Sequence, residues 1–157
     1  MKQVLKILIL LLPLFARAQQ NPVDSMYNDL AQAHTDSARY QAYVGLYFYH
    51  SESNPDSAIY FADKMVRLAR KNSKQPDEII SLSFIGYQLY QKNQWADSYK
   101  ILLEAFQVAD KAADDPNPWF YGISTGENTA KKNALAGLHF IYGHLSGVIS
   151  DSAQVAQ

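Results

Sequence analysis

Residues 82–106 constrain the fold more than any other stretch, because two helical patterns and the turn between them can be read there together. The first half carries small and apolar residues at helical spacing, namely Leu82, Ile85, Gly86 and Leu89. The second half repeats this spacing with Ser98, Leu102, Ala105, Phe106 and Ala109. Small residues in each stripe let a neighbouring helix come close. The pattern therefore predicts a helical hairpin whose faces must be covered by further copies.

Composition and charge exclude several classes of protein. The 157 residues are 48% apolar and 13% aromatic, enough for the core of one globular unit. Cysteine is absent, which excludes disulfides, thiolate metal sites and cysteine nucleophiles. Beyond residue 18 there are 11 basic and 15 acidic residues, a net charge of about −4, and no Lys/Arg cluster. We therefore do not expect a nucleic-acid binder.

Residues 1–18 have the pattern of a secretory signal peptide. Lys2 and Lys6 precede an apolar run over 7–15, and a small-x-small sequence ends at Ala18. A membrane anchor is the alternative, but the run is about half of the roughly 20 residues that cross a bilayer. A lipoprotein is excluded because the chain has no cysteine to carry the lipid. We expect cleavage after Ala18 and export to the periplasm.

Polar helix starts divide the rest of the chain. We expect a short N-terminal capping helix within 19–36 that is capped by Asp24, and a second helix that begins near Asp36. Pro55 falls where a first-turn proline is tolerated. Residues 119–121 form an apolar patch in a loop, and Ser124 with Glu127 forms a capping box that opens a last long helix.

The register of the helices predicts a repeat. The tripeptide Asp-Ser-Ala begins at residues 36, 56 and 151, and a variant of it begins at Asp97. Leu46 to Ala58 and Gly86 to Ser98 each span 12 residues, and Ala58 to Ser98 gives a period of 40. Such a period is typical of a stacked α-solenoid. The predicted copies cover about 37–72, 77–113 and 124–157, the last of them incomplete.

Residues of the second copy resemble the tetratricopeptide repeat: Ile85, Gly86, Leu89, Tyr90, Trp95, Ser98, Ala105 and Phe106. In the first copy, the second helix matches at Ala58, Ile59, Phe61, Val66 and Leu68, whereas Leu46 departs from the small residue of the pattern. The resemblance implies an all-α fold of antiparallel hairpins stacked as a right-handed superhelix. More specifically, the signal peptide and the Asp-Ser-Ala helix starts resemble the exported amino-terminal region of Bacteroidetes sensor proteins, in which such repeats precede a histidine kinase or a DNA-binding output.

No constellation for catalysis or metal binding can be read. His139 and His144 are five residues apart, which places them on different faces of a helix, and His34 and His50 are isolated. The glycine-containing stretch 122–127 lacks the lysine of a phosphate loop. We therefore expect no enzyme, no metal and no cofactor.

The resemblance implies a ligand groove lined by the first helix of each copy. Its predicted residues are Tyr43, Tyr47, His50, Tyr87, Tyr90, Gln91, Leu138, Tyr142 and Leu145. Tyr47, Tyr87 and Tyr142 occupy equivalent places, and such a ladder of rings suits an extended peptide or another helix. The alternative is that these rings only pack against the next helix.

The functional hypothesis is a protein-binding or peptide-binding module, the periplasmic sensory part of a two-component-type signalling protein. The alternative is a free-standing periplasmic scaffold. Residues 151–157 open a helix too short to cover the one before it, so we expect the chain to be a fragment. Membrane attachment is expected only through the signal peptide or a segment beyond residue 157.

Overall fold

The computed structural model describes residues 22–112 together with Trp119, His139 and Gly143. The described part contains five helices: α1 (Pro22–Gln32), α2 (Asp36–His50), α3 (Pro55–Lys71), α4 (Gln75–Gln91) and α5 (Trp95–Lys111). Consecutive helices pack against each other, which confirms the all-α architecture of stacked helical hairpins. The predictions for 1–18 and for most of 124–157 lie outside the described residues.

Side-chain caps start two of the helices. The Thr35 hydroxyl accepts a hydrogen bond from the backbone N–H of Ala38, and the Asn54 side chain accepts one from Ser57, with Pro55 in the first turn as predicted. The prediction that Asp24 caps α1 is wrong, because the helix already begins at Pro22 and Asp24 lies within its first turn. The carboxylate there faces the positive end of the helix dipole instead.

The turns after α3 and α4 share one conformation. Ser73 and Asn93 have positive φ angles of 54° and 58°. In each turn the next backbone N–H reaches back to a carbonyl of the last helical turn, from Lys74 to Ala69 and from Gln94 to Leu89, both at 2.9 Å. This left-handed closure satisfies carbonyls that a helix end leaves unpaired, and it reverses the chain within three residues.

The first helices of the two hairpins, α2 and α4, run parallel. The Tyr40 hydroxyl donates to the carbonyl of Asp77 at 3.1 Å, and seven residues later the Tyr47 ring stacks on Phe84 with 4.3 Å between ring centroids. Since the partners on α4 are also seven residues apart, each pair lies two helical turns from the other. Large aromatic side chains therefore bridge the stacked hairpins.

Inside the second hairpin the helices approach closely at Gly86. A Cβ at this position would lie 2.7 Å from Cγ of Leu102, and the Ser98 hydroxyl donates to the Gly86 carbonyl at 2.6 Å. The predicted role of Gly86 is therefore confirmed. In the first hairpin the equivalent positions carry Leu46 and Ala62, both buried, so the large and the small residue are exchanged between the helices.

Ion pairs connect the helix ends. Asp36 at the start of α2 accepts from Lys71 at the end of α3 at 2.9 Å. Lys92, after α4, pairs with Asp56 at the start of α3. Arg70 contacts Glu78 of α4 and Glu104 of α5, so one guanidinium bridges three helices. The hydrogen bonds that Arg70 donates to these carboxylates raise its pKa further above the ordinary value, and the bond to Glu78 has the largest effect.

Candidate functional site: an uncharged aromatic face

Charge is divided unequally between the helices. α2 and α4 carry two Asp, Glu, Lys or Arg residues each, all within their first turns, whereas α3 carries six and α5 five. Residues 40–49 and 79–91 contain no such side chain at all. These stretches of the parallel helices α2 and α4 therefore carry only uncharged side chains, among them most of the aromatic rings and amides of the two helices.

Four rings from α2 and α4 form what we call the aromatic platform: Tyr47, Phe48, Phe84 and Tyr87. The rings of Tyr47 and Phe84 are stacked, and their planes are nearly parallel, at 9° to each other. Phe48 is inclined at 74° to Tyr47 and at 72° to Phe84, with centroid distances of 5.2 and 5.4 Å. These are favourable stacked and edge-to-face arrangements, and they hold the rings in fixed orientations.

Two members of the platform are open to solvent. Phe48 is 52% exposed and Tyr87 is 47% exposed, whereas Tyr47 is only 3% exposed. Tyr87 lies one helical turn beyond Phe84 and therefore on the same side of α4. Its hydroxyl accepts a hydrogen bond of 2.6 Å from Nε2 of Gln91. The platform thus has a buried base at Tyr47 and an exposed side, formed by the Phe48 ring and the Tyr87 phenol.

A buried amide lies beneath the platform. Gln88 is fully buried, and its Nε2 donates to the Tyr47 hydroxyl at 3.2 Å, while its Oε1 has no hydrogen-bond partner in the structure. An unpaired buried carbonyl costs about 1 to 3 kcal/mol. Burial raises the pKa of Tyr47 above its ordinary value, so this phenol stays neutral at physiological pH.

A second aromatic cluster surrounds Phe61 of α3. Tyr43 and His50 of α2 both stack on this ring, at centroid distances of 6.2 and 5.7 Å. Tyr27 of α1 and Tyr60 of α3 meet its edge. Because Phe61 is only 5% exposed, the cluster is a packing centre that attaches α1 to the first hairpin.

The structure therefore does not bring the predicted groove residues together on one surface. Tyr43 and His50 lie around Phe61, and Tyr47 is buried because α4 packs alongside α2. Tyr87 and Gln91 are exposed and joined by a hydrogen bond, and Tyr90 is half-buried. The predicted equivalence of Tyr47 and Tyr87 does not extend to their exposure. The remaining predicted positions, Leu138, Tyr142 and Leu145, lie outside the described residues.

Three residues of the site were not predicted: Phe48, Phe84 and Gln88. Phe84 lies three residues before Tyr87, and Gln88 four residues after Phe84, so helical spacing could have placed them on one face. Phe48 follows Tyr47 directly and lies on a neighbouring part of α2. Its exposure depends on how the hairpins stack, which no pattern within one helix encodes.

Near the N-terminal ends of α2 and α4, away from the platform, buried polar groups are hydrogen-bonded within the core. The Ser81 hydroxyl donates to the Asp77 carbonyl at 2.6 Å, and its oxygen lies 3.0 Å from that of the Tyr40 hydroxyl. The backbone N–H of Trp119 donates to the Asp77 carboxylate at 3.0 Å, and its ring packs on Tyr40. Trp119, predicted to lie in a loop, thus contributes to the core. Burial raises the pKa of Tyr40 well above its ordinary value.

The described part of the chain offers neither a metal-binding cluster nor a membrane-spanning helix. Within residues 22–112, Trp119, His139 and Gly143, there is no group of three or more His, Asp or Glu side chains placed to hold a metal ion. No helix in this part is both long and apolar enough to span a membrane.

Comparisons with known proteins leave the family open. No protein-family model matches the chain, and neither a curated protein nor a solved structure matches it. Membership of the tetratricopeptide family therefore stays a prediction from the sequence.

Proposed function

We propose that the protein is an exported binding module that holds a protein or peptide ligand on the aromatic platform. The observation that carries this proposal is the exposure of Phe48 and Tyr87 on a face without charged side chains. Folding alone does not favour such exposure, because apolar rings are more stable when they are buried. Exposed aromatic residues on a rigid scaffold are instead a common feature of interaction sites.

The composition of the platform supports a macromolecular ligand. Interface cores are enriched in Tyr and Phe and depleted of Lys, Glu and Asp, which is the composition of residues 40–49 and 79–91. Tyrosine supplies a large contact area and a hydroxyl while losing little conformational entropy. The rings of Tyr47, Phe48 and Phe84 are also held by their mutual contacts before a ligand arrives, which lowers the cost of binding.

The setting of this binding is proposed from the sequence. The signal-peptide pattern of residues 1–18 supports export to the periplasm. The resemblance to exported sensor regions supports a sensory role, in which ligand binding would be the input to a signalling protein. Sequencing the gene beyond codon 157 tests this role. An in-frame membrane segment followed by a kinase or DNA-binding region would support it, and their absence would favour the free-standing scaffold.

The binding role is tested by selecting a random peptide display library on the immobilised full chain. We expect enriched peptides that lose binding when Phe48→Ala or Tyr87→Ala replaces the wild type. Tyr60→Ala is the matched control, because Tyr60 is equally an exposed tyrosine, at 55%, but lies on the charged helix α3. No enrichment, or enrichment that the platform variants leave unchanged, would refute the proposal.

A further inference from the structure

Trp119 is held by side chains near the N-terminal ends of α2 and α4. Its backbone N–H donates to the Asp77 carboxylate at 3.0 Å, and its carbonyl accepts a hydrogen bond from Nε2 of Gln41. Its ring packs on Tyr40 with 5.7 Å between centroids, and the Lys74 ammonium lies over the ring, 6.0 Å from the centroid. We call Tyr40, Gln41, Lys74 and Asp77 the aromatic clamp. The clamp thus contacts one residue through its N–H, its carbonyl and its ring.

Both hydrogen bonds of the clamp go to main-chain atoms of the residue that it holds. Such bonds recognise a peptide segment whose backbone groups are not already paired, whatever its side chain. Asp77 is fully buried, and hydrogen bonds to a carboxylate are stronger than those between neutral groups. The contacts with Tyr40 and Lys74 require an aromatic ring, because both depend on its π-system. The clamp therefore selects an aromatic residue within an unpaired segment.

The contacts that join α2 to α4 do not involve Trp119. The Tyr40 hydroxyl donates to the Asp77 carbonyl at 3.1 Å, and two helical turns further along the Tyr47 ring stacks on Phe84. Trp119 is half-buried and lies eight residues beyond the end of α5. It is therefore attached to a surface that the two helices already form, as a ligand would be.

We propose that the aromatic clamp is a binding site for an aromatic residue of a peptide segment, and that Trp119 is its intramolecular occupant. A segment of a partner protein that carries a tryptophan offers the same N–H, carbonyl and ring, and it binds by displacing Trp119. Because Trp119 is tethered, it competes at a high effective concentration. Asp77 lies seven residues before Phe84, two turns from the platform, so this inference does not rest on the proposed function.

The test is titration of the full chain carrying Trp119→Ala with N-acetyltryptophanamide, which supplies the ring, the N–H and the carbonyl of one residue. Amide chemical shifts in NMR spectra measure the affinity and place the ligand near Gln41 and Asp77. We expect the variant to bind, and the wild type, whose clamp is occupied, to bind at least about tenfold more weakly. N-acetylleucinamide should also bind the variant at least about tenfold more weakly, because it lacks the ring.

Skatole, the tryptophan side chain without backbone groups, distinguishes the clamp from a simple apolar cavity. It should bind Trp119→Ala at least about tenfold more weakly than N-acetyltryptophanamide does. Adding Gln41→Ala should weaken the binding of N-acetyltryptophanamide about two- to tenfold and leave that of skatole unchanged. Gln94→Ala is the matched control and should change neither, because Gln94 is equally an exposed glutamine but lies in the turn after α4, far from Asp77.

Each contrary outcome overturns the inference. Equal affinities for N-acetyltryptophanamide and skatole, or no effect of Gln41→Ala, would show an apolar cavity only. If Trp119→Ala unfolds, N-acetyltryptophanamide should restore the wild-type spectrum, because a ligand that binds only the folded state shifts the equilibrium towards it. A variant that stays unfolded at high ligand concentration would make Trp119 an ordinary part of the core. None of these results changes what the peptide library shows about the platform.

Discussion

The close approach of α4 and α5 at Gly86 allows a quantitative test of how tightly these helices pack. In Gly86→Ala the new methyl group would lie 2.7 and 2.8 Å from Cγ and Cδ2 of Leu102. Carbon atoms in contact are about 3.5 to 4.0 Å apart, so Leu102 or the backbone must move by roughly 1 Å. Overpacking of this kind costs about 1 to 3 kcal/mol, whereas alanine in a helix gains about 1 kcal/mol over glycine. We expect a net destabilisation of about 0 to 2 kcal/mol.

Removal of the Leu102 side chain should reverse the sign of the stability change that Gly86→Ala causes. Leu102→Ala alone should cost about 2 to 5 kcal/mol, because Leu102 is only 1% exposed and its removal leaves a cavity. In that background the three atoms nearest to the methyl group, Cγ, Cδ1 and Cδ2 of Leu102, are removed, and Gly86→Ala should stabilise the protein by about 1 kcal/mol. The two substitutions are therefore expected to show a coupling energy of about 1 to 3 kcal/mol.

Urea unfolding followed by far-ultraviolet circular dichroism measures these free energies in a double-mutant cycle. Gly45→Ala is the matched control, because Gly45 also lies within a helix but a Cβ there would meet nothing within 4 Å. It should stabilise the protein by up to about 1 kcal/mol. If Gly86→Ala stabilises the wild type as much as Gly45→Ala does, the contact with Leu102 is not tight and the argument is refuted.

Two further predictions concern the candidate site and the ion pairs. Tyr47→Ala should destabilise the protein by about 3 to 5 kcal/mol in urea unfolding, whereas Tyr87→Ala should change stability by less than about 1 kcal/mol; similar costs for both would contradict their different burial. Hydrogen bonds from Lys71, and second from Asn72, hold the pKa of Asp36 below its ordinary value of 3.8. The ionised carboxylate therefore stabilises the fold above about pH 4, and this contribution is lost as pH falls through the lowered pKa. In thermal unfolding, wild type and Asp36→Asn should differ near neutral pH and converge in acid; a constant difference would exclude the linkage.

Sequence reasoning predicted the fold because the relevant signals are local. The stripes around Gly86 and Ser98 repeat at helical spacing, and both residues lie at the close contact of α4 with α5. The start of α1 was predicted wrongly because Asp24 was preferred to Asn21, which could cap only a helix that begins at Pro22, and the helix does begin at Pro22. Since Asp and Asn are about equally good caps, propensity could not fix this boundary.

The site was harder to predict because it depends on contacts between hairpins. Tyr47 and Tyr87 are 40 residues apart and occupy equivalent places in the predicted repeat, but Tyr47 is covered by α4, whereas Tyr87, on α4 itself, is 47% exposed. Likewise, Tyr43 and His50 share α2 with Tyr47, yet their rings contact Phe61 of α3. Side chains one turn apart on a helix lie on the same face, so the neighbouring helix that each ring meets, and not its spacing along α2, decides between core and surface.

The division of charge between the helices connects stability with binding. Ion pairs at the helix ends join α3 to α2, α4 and α5, through Asp36, Asp56 and Arg70. Most charged side chains lie on α3 and α5, whereas residues 40–49 of α2 and 79–91 of α4 carry none. The stacked rings of Tyr47 and Phe84 join the hairpins, and the same α2–α4 contact carries the exposed Phe48 and Tyr87. Stacking of the hairpins therefore builds the platform, so we expect a substitution that separates α2 from α4 also to weaken the proposed binding.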